Sequence, residues 1–333
     1  MSASVKIVPN HLATVNPLVD KTVGVLGFGS QGQAHALNLR DSGCRVLVAQ
    51  RRGGARYEAA VQAGFEPGAV EDAARTADLL IFGLPDEAAP EVYRQQIRPA
   101  LRAGQTLGFM HGFVIHYGQI TPPKDVDVVL VAPKGQGRAV RSEYVAGRGI
   151  VSLIAVHQDV SGGARRTALA WAAGIGSARA GIIETSFKDE TETDLFGEQA
   201  VLCGGLTALI KAAFETLVGA GYPPELAYFE CCHEVKLIAD LVYEGGITHM
   251  RERISNTARF GDLTRGPRVI GPEAHEALRK MLQEIRSGRF AREWLAESQA
   301  GRPRFTELTE RDRGHPIEQV GREIRRMMWG EAT

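Results

Sequence analysis

At 333 residues the chain has the length for about two domains with cores of their own. Its 39 Lys and Arg balance 39 Asp and Glu, and 44% apolar with 23% charged residues is ordinary globular composition; this excludes a disordered or collagen-like chain and argues against nucleic acid or a membrane surface as the main partner. The longest apolar stretch, around residues 169–183, is broken by Arg179 and several glycines and serines, and the first twenty residues carry neither a secretory core nor an Arg-rich leader, so no membrane span and a cytoplasmic location are expected.

In chain order, short β-branched runs at 22–26, 45–49, 79–84, 105–110, 127–132 and 149–156 alternate with helical stretches. Such alternation is the pattern of βαβ units around a parallel sheet. The first run leads into Gly27-Phe28-Gly29-Ser30-Gln31-Gly32, a G-x-G-x-x-G placed between a strand and a helix expected over 33–40. In that context Gly27 makes the tight turn, Gly29 admits a pyrophosphate and Gly32 lets the helix pack closely, with the helix N-terminus facing the anion. At the end of the second run, where an NAD site carries an acid for the ribose 2′-hydroxyl, stand Gln50, Arg51, Arg52, Gly53, Gly54, Ala55 and Arg56. Three arginines and no acid favour a 2′-phosphate, hence NADP(H). Later runs end in Pro85-Asp86-Glu87, His111-Gly112-Phe113 and Pro133-Lys134-Gly135. Ligands of an open parallel sheet collect beyond the carboxyl ends of its strands, which puts His111 and Lys134 near the nicotinamide end.

After about residue 185 the β-runs stop without an intervening linker. The expected domains are a doubly wound, Rossmann-type α/β unit over 1–184 and an all-helical unit over 185–333. Leu202, Leu206, Leu209, Ala213 and Leu217 follow the 3.6-residue repeat, Pro223-Pro224 opens a second long helix, and shorter helices are expected over 272–287 and 316–328. Cys44, Cys203, Cys231 and Cys232 match neither a zinc site nor a disulfide framework and are expected to be reduced and buried or half-buried.

Two carboxylate pairs stand out in this half, Asp194 with Glu198 and Glu230 with Glu234. Residues four apart on an α-helix lie roughly 40° apart around the axis and about 6 Å along it, so each pair projects from one face. Acids on helices usually form a solvated face. In the second pair, however, Leu226, Glu230, Glu234, Leu237 and Leu241 share a stripe, away from Glu225, Lys236 and Asp240. Carboxylates within a leucine stripe need compensation, either from Arg or Lys or from hard divalent cations such as Mg²⁺, and four would suit two ions roughly 3.5 to 4 Å apart.

These residues resemble the ketol-acid reductoisomerases, or acetohydroxyacid isomeroreductases, in their short class I form. The resemblance is carried by the glycine motif with Ala34-His-Ala-Leu-Asn-Leu-Arg40, by His111-Gly-Phe, Ala132-Pro-Lys-Gly and Val156-His-Gln-Asp, by Glu190-Thr-Glu-Thr-Asp-Leu-Phe-Gly-Glu-Gln199 and by Tyr228-Phe-Glu. It implies conversion of 2-acetolactate or 2-aceto-2-hydroxybutyrate into a 2,3-dihydroxy-3-methyl acid with NADPH and two Mg²⁺, in valine, leucine and isoleucine biosynthesis. By the same resemblance Asp194 bridges the metals, Glu198 binds the first, Glu230 and Glu234 serve the second, and Ser255 contacts the substrate carboxylate. His111 and Lys134 match catalytic positions, while Phe28 to Gln31, Arg51, Asp86, Glu87, Ala88, Ala89 and Gly137 match cofactor contacts. The family's helical domain is knotted and, in short chains, completed by intertwining two copies, so a homodimer is implied.

The chain departs from the family pattern in its cofactor half. Gly54 and Arg56 replace phosphate-loop serines, Gln33 a frequent His, Val114 an Asn and Gln136 a Pro. Two other readings remain open at this point: a β-hydroxyacid dehydrogenase, which would need no Mg²⁺, and an NADP(H)-binding regulator without catalysis, against which the four retained carboxylates argue.

Overall fold

The computed structural model describes residues 5–330. Eight strands form one sheet: β1 (Lys6–Val8), β2 (Thr22–Leu26), β3 (Arg45–Ala49), β4 (Leu79–Phe82), β5 (Thr106–Phe109), β6 (Asp127–Pro133), β7 (Ser152–Gln158) and β8 (Ile182–Glu184), in the order β1-β8-β7-β6-β5-β4-β2-β3. β2, β4, β5 and β6 are buried along their whole length. Helices cover both faces of such strands, which is why they read as continuous apolar runs. From β3 through β6 the pairing is parallel, as expected. The sheet is not parallel throughout: β7 runs antiparallel to β6, and β1 antiparallel to β8.

The strand order turns at β2. The chain moves outward from β2 to β3 and then returns to β4 on the other side. Such a reversal opens a crevice beyond the strand ends, and the glycine loop that follows β2 lies there, leading into the helix Ser30–Asp41.

That helix is held to its unit by a buried polar contact. His35 is fully buried, and the Trp171 indole N–H, from the helix Ala164–Gly174, donates to His35 Nδ1 at 3.0 Å. Burial drives the His35 pKa down from an ordinary 6.5 to about 3. The unfolded chain therefore takes up a proton below about pH 6.5 that the folded chain refuses, so this group's stability contribution is complete above pH 6.5 and declines as pH falls toward 3. Denaturant titrations should show the wild type losing ~2 kcal/mol from this group between pH 7 and 5. In His35→Gln that part of the slope should vanish, and an unchanged slope would refute the assignment.

The chain divides into two compact units between Thr193 and Asp194. The second is all-helical, with helices Gly204–Gly219, Pro224–Tyr228, Val235–Arg253, Asn256–Val269, Pro272–Arg286, Arg289–Gln299, Pro303–Arg313 and Pro316–Trp329. Its buried core is small: Phe214, Ala227, Tyr228, Ile317 and Ile324, with the Arg325 guanidinium donating to the Tyr228 hydroxyl at 2.9 Å.

Two expectations need correction, the absence of a membrane-length apolar run and the burial of Cys203. The helical stretch Phe187–Gly219 is long and apolar enough, by length and composition alone, to cross a membrane, with a mean hydropathy of 1.6 over its most apolar window. Residues 169–183, the stretch that looks longest in the sequence, are interrupted by the turn at Gly176. The leucine stripe is not buried within the chain: Leu226 is 56% and Leu237 54% exposed, and Glu230 and Glu234 are exposed with them. Cys203 is exposed as well, while Cys44 is buried, Cys231 and Cys232 are intermediate, and all four are free.

Candidate active site

The crevice at the strand reversal is a cleft of about 300 Å³ lined by the glycine loop, by Leu84, Pro85 and Asp86 after β4, and by Met110 and His111 after β5. Gly27 has φ +91°, and a Cβ there would lie 2.6 Å from the Gly83 carbonyl oxygen. A Cβ on Gly32 would meet the Gly27 carbonyl at 2.2 Å. Both glycines are thus required by the turn and by the close approach of the helix. No side chain caps the helix that begins at Ser30, so its first-turn N–H groups and its dipole are offered to an anion. Gln31 donates to the Gly135 carbonyl at 2.8 Å, and its buried Oε1 has no partner among the described residues. A glycine cradle, an uncapped helix terminus and an unsatisfied acceptor fit a dinucleotide.

Gln50, which replaces the acid of NAD sites, turns its Oε1 back to accept the Phe28 N–H at 2.9 Å. Beyond it Arg51 and Arg52 line a separate recess of about 480 Å³ with Gly68, Glu71, Asp72 and Gln96. Arg56 lines the first cleft instead. Gly54 caps the helix Ala55–Gln62 in extended conformation and lines neither. Asp86 and Ala89 line the cleft, whereas Glu87 and Ala88 are not among its lining residues. Gly137 opens the helix Gly137–Val145 against the Ser30 carbonyl, at a spacing no side chain would allow.

At the end of the cleft the decisive group is Glu190, which the sequence shows only as the first residue of the acidic motif. Glu190 is 1% exposed. Its Oε2 accepts the Gly112 N–H at 2.9 Å and lies 3.1 Å from His111 Nδ1, while its Oε1 accepts from Lys134 Nζ at 3.1 Å. Burial alone would raise its pKa. The hydrogen bond and charge of His111, the charge of Lys134 and the Gly112 N–H together outweigh that, and the carboxyl sits below its ordinary value. A Cβ on Gly112 would meet Thr191 Oγ1 at 2.3 Å and the Phe187 carbonyl at 2.8 Å, so the glycine of His-Gly-Phe admits the helix Phe187–Gly197. Two residues after Glu190, Glu192 lies 3.3 Å from His116 Nε2. Burial, then the Glu192 charge, push the Tyr117 phenol up to about 12.

In the second unit the carboxylate pairs mark breaks in α-helical geometry. Glu198 begins a π-helical turn, Glu198–Leu202, and Glu230 lies in another, Phe229–His233, whose end is Glu234. Gly204 and Gly205 permit the first, because a Cβ on either would strike the carbonyl five residues back, at 2.3 and 1.9 Å. π-Turns are rare and concentrate at functional sites. The carboxylate chemistry of Asp194, Glu198, Glu230 and Glu234 suits Mg²⁺. None of Glu198, Glu230 and Glu234 belongs to a cluster of three or more ligand-type side chains among the described residues. Ser255 is the N-cap of the helix Asn256–Val269, its Oγ accepting the Ala258 N–H at 3.1 Å. Its hydroxyl proton is left to donate.

Residues 17–181 match the family model for the acetohydroxy acid isomeroreductase NADPH-binding domain, and residues 187–329 that for the ketol-acid reductoisomerase C-terminal domain. A solved NADH-preferring ketol-acid reductoisomerase from an uncultured archean is 45% identical, with a TM-score of 0.94 over 96% of this chain and 98% of that one. A semialdehyde dehydrogenase NAD-binding protein from Cupriavidus necator superposes with a TM-score of 0.61 at 18% identity, over 80% of this chain and 99% of that one. A putative oxidoreductase from Jannaschia gives 0.60 at 16%, over 80% and 97%. The last two share the fold alone.

Proposed function

The chain belongs to the ketol-acid reductoisomerases, in their short class I form, and is an enzyme of branched-chain amino-acid biosynthesis; from that premise we propose that it isomerises 2-acetolactate or 2-aceto-2-hydroxybutyrate and reduces the product with NADPH, as a cytoplasmic homodimer that uses two Mg²⁺. The observation that carries the proposal is the buried Glu190 carboxylate held by His111, Lys134 and the Gly112 N–H at the end of the nucleotide cleft.

Bound Mg²⁺ would supply charge stabilisation for an ionised C2 hydroxyl and a polarised C3 ketone. Asp194, Glu198, Glu230 and Glu234 would hold the ions. Glu190 faces His111 Nδ1 at 3.1 Å and thereby orients the imidazole. Lys134, 3.1 Å from Glu190, would favour developing negative charge on the substrate. Ser255 would donate to the substrate carboxylate, aided by the helix N-terminus it caps. NADPH oxidation with 2-acetolactate tests the reaction: turnover should require Mg²⁺, and Mg²⁺-independent turnover would point to the dehydrogenase reading.

Preference for NADPH is supported by Gln50 in place of an acid and by Arg51 and Arg52 beside it. The archaeal relative's NADH preference belongs to that enzyme. In this chain kcat/KM should favour NADPH; equality or reversal would mean that Glu71 and Asp72, in the same recess, outweigh the arginines. The dimer is supported by the apolar surface of the helical unit, where Leu206, Leu209, Leu226, Leu237 and Val242 lie exposed around so small a core. Four free cysteines suit a reducing compartment.

A further inference from the structure

The arginines that follow β3 do not act on one place. Arg51 and Arg52 precede Gly53, whose φ of +76° turns the chain, and they line the outer recess. Arg56 follows the turn, within the first turn of the helix Ala55–Gln62, and lines the inner cleft with Gly29, Ser30 and Gln31. Its guanidinium lies over Gly29: a Cβ built there would be 3.8 Å from Cζ and from Nη1. Gly29 is the residue from which the uncapped helix Ser30–Asp41 departs. Arg56 also makes no hydrogen bond or ion pair among the described residues, and the acid that shares its cleft is Asp86.

We propose that Arg56 binds the pyrophosphate common to NADH and NADPH and takes no part in choosing between them, leaving discrimination of the 2′-phosphate to Arg51 and Arg52. An uncommitted guanidinium over a helix N-terminus completes an anion site from the open side: the helix supplies N–H groups and partial positive charge beneath, and the arginine supplies a full charge and a planar donor fork above. A charge at this point meets the same two phosphates in either nucleotide. The serine commonly found at this position in the family has no such charge, so this chain's departure strengthens anchoring of both nucleotides.

The inference rests on the glycine cleft being the nicotinamide-nucleotide site, and binding to the full-length protein separates the two ideas. Dissociation constants for NADPH, NADH, ADP-ribose and 2′-AMP would be measured by calorimetry for the wild type, Arg56→Ala, Arg56→Lys and Arg51→Ala. Arg56→Ala should weaken NADPH, NADH and ADP-ribose by a common factor of about 10 to 100, the scale of a charge-assisted hydrogen bond. It should leave 2′-AMP unchanged, and Arg56→Lys should recover part of the loss. Arg51→Ala should weaken NADPH and 2′-AMP but not NADH. Loss confined to NADPH and 2′-AMP in Arg56→Ala would make Arg56 a 2′-phosphate ligand, and no loss at all would make it a solvated side chain; either overturns the proposal. A wild type that binds neither NADH nor NADPH would overturn the cofactor reading itself.

Discussion

Glu190→Gln is expected to lower kcat for the isomerisation and reduction of 2-acetolactate by at least about 100-fold while leaving the NADPH dissociation constant within a factor of a few. The amide is nearly isosteric, so the helix Phe187–Gly197 still packs on Gly112. What it removes is the charge between His111 and Lys134. One amide oxygen cannot satisfy three donors, and an amide N–H would face either Lys134 Nζ or the Gly112 N–H. Breaking one side of a buried ion pair typically costs about 3 to 5 kcal/mol, so a fall in melting temperature should accompany the loss of rate. Without the carboxylate His111 loses the acceptor that orients its ring, and Lys134 loses its counter-charge. The pH dependence has a definite sign. A carboxyl with a lowered folded pKa contributes stability that is present above its ordinary value near 4.5 and lost as pH falls through the lowered one; the variant should lack that acid limb. Activity within threefold of wild type would show that the cluster only holds the helix in place.

Much of this could be read before the fold was known, for identifiable reasons. Strands buried on both faces are mostly apolar, so β2, β4, β5 and β6 announce themselves, and a glycine motif between strand and helix marks the crevice. Strand direction leaves no such trace. β7 follows β6 through the helix Gly137–Val145, a connection of the kind that usually joins parallel strands, yet it pairs antiparallel with β6. β1 and β8 have three residues each and lie at one side of the sheet, too short for a pattern to emerge. Glu190 was within reach, since Glu190, Asp194 and Glu198 continue one four-residue spacing, but its partners come from the ends of β5 and β6 and only the assembled sheet gathers them. The π-turns were hidden because a 3.6-residue reading assumes regular helix on both sides; Gly204-Gly205 is the one local sign of the first. The leucine stripe was legible as an apolar surface in need of a partner, but whether that partner is the chain's own core or another molecule is not in the pattern, because both require the same residues.

That exposed stripe motivates the last expectation, an active site divided between two chains. Leu226, Leu237 and Val242 cannot all face water without penalty, and Glu230 and Glu234 share their surface. If a second copy covers it, the apolar groups gain a partner and these carboxylates meet the Asp194 and Glu198 of the other subunit, each site drawing on both chains as a two-fold dimer permits. Asp194→Asn and Glu230→Gln homodimers should each retain NADPH binding and be nearly inactive, since each leaves every site one ligand short. Mixed dimers of the two should not be dead. One of their sites takes Asp194 from the Glu230→Gln chain and Glu230 from the Asp194→Asn chain, both intact, while the other collects both lesions. Random pairing after equimolar refolding makes about half of all dimers mixed, each with one working site in two, so activity should recover to about a quarter of wild type. Differently tagged chains, purified in tandem, would establish that mixed dimers have formed. If they form and stay inactive, each site is built within a single chain, and the exposed stripe must serve another contact.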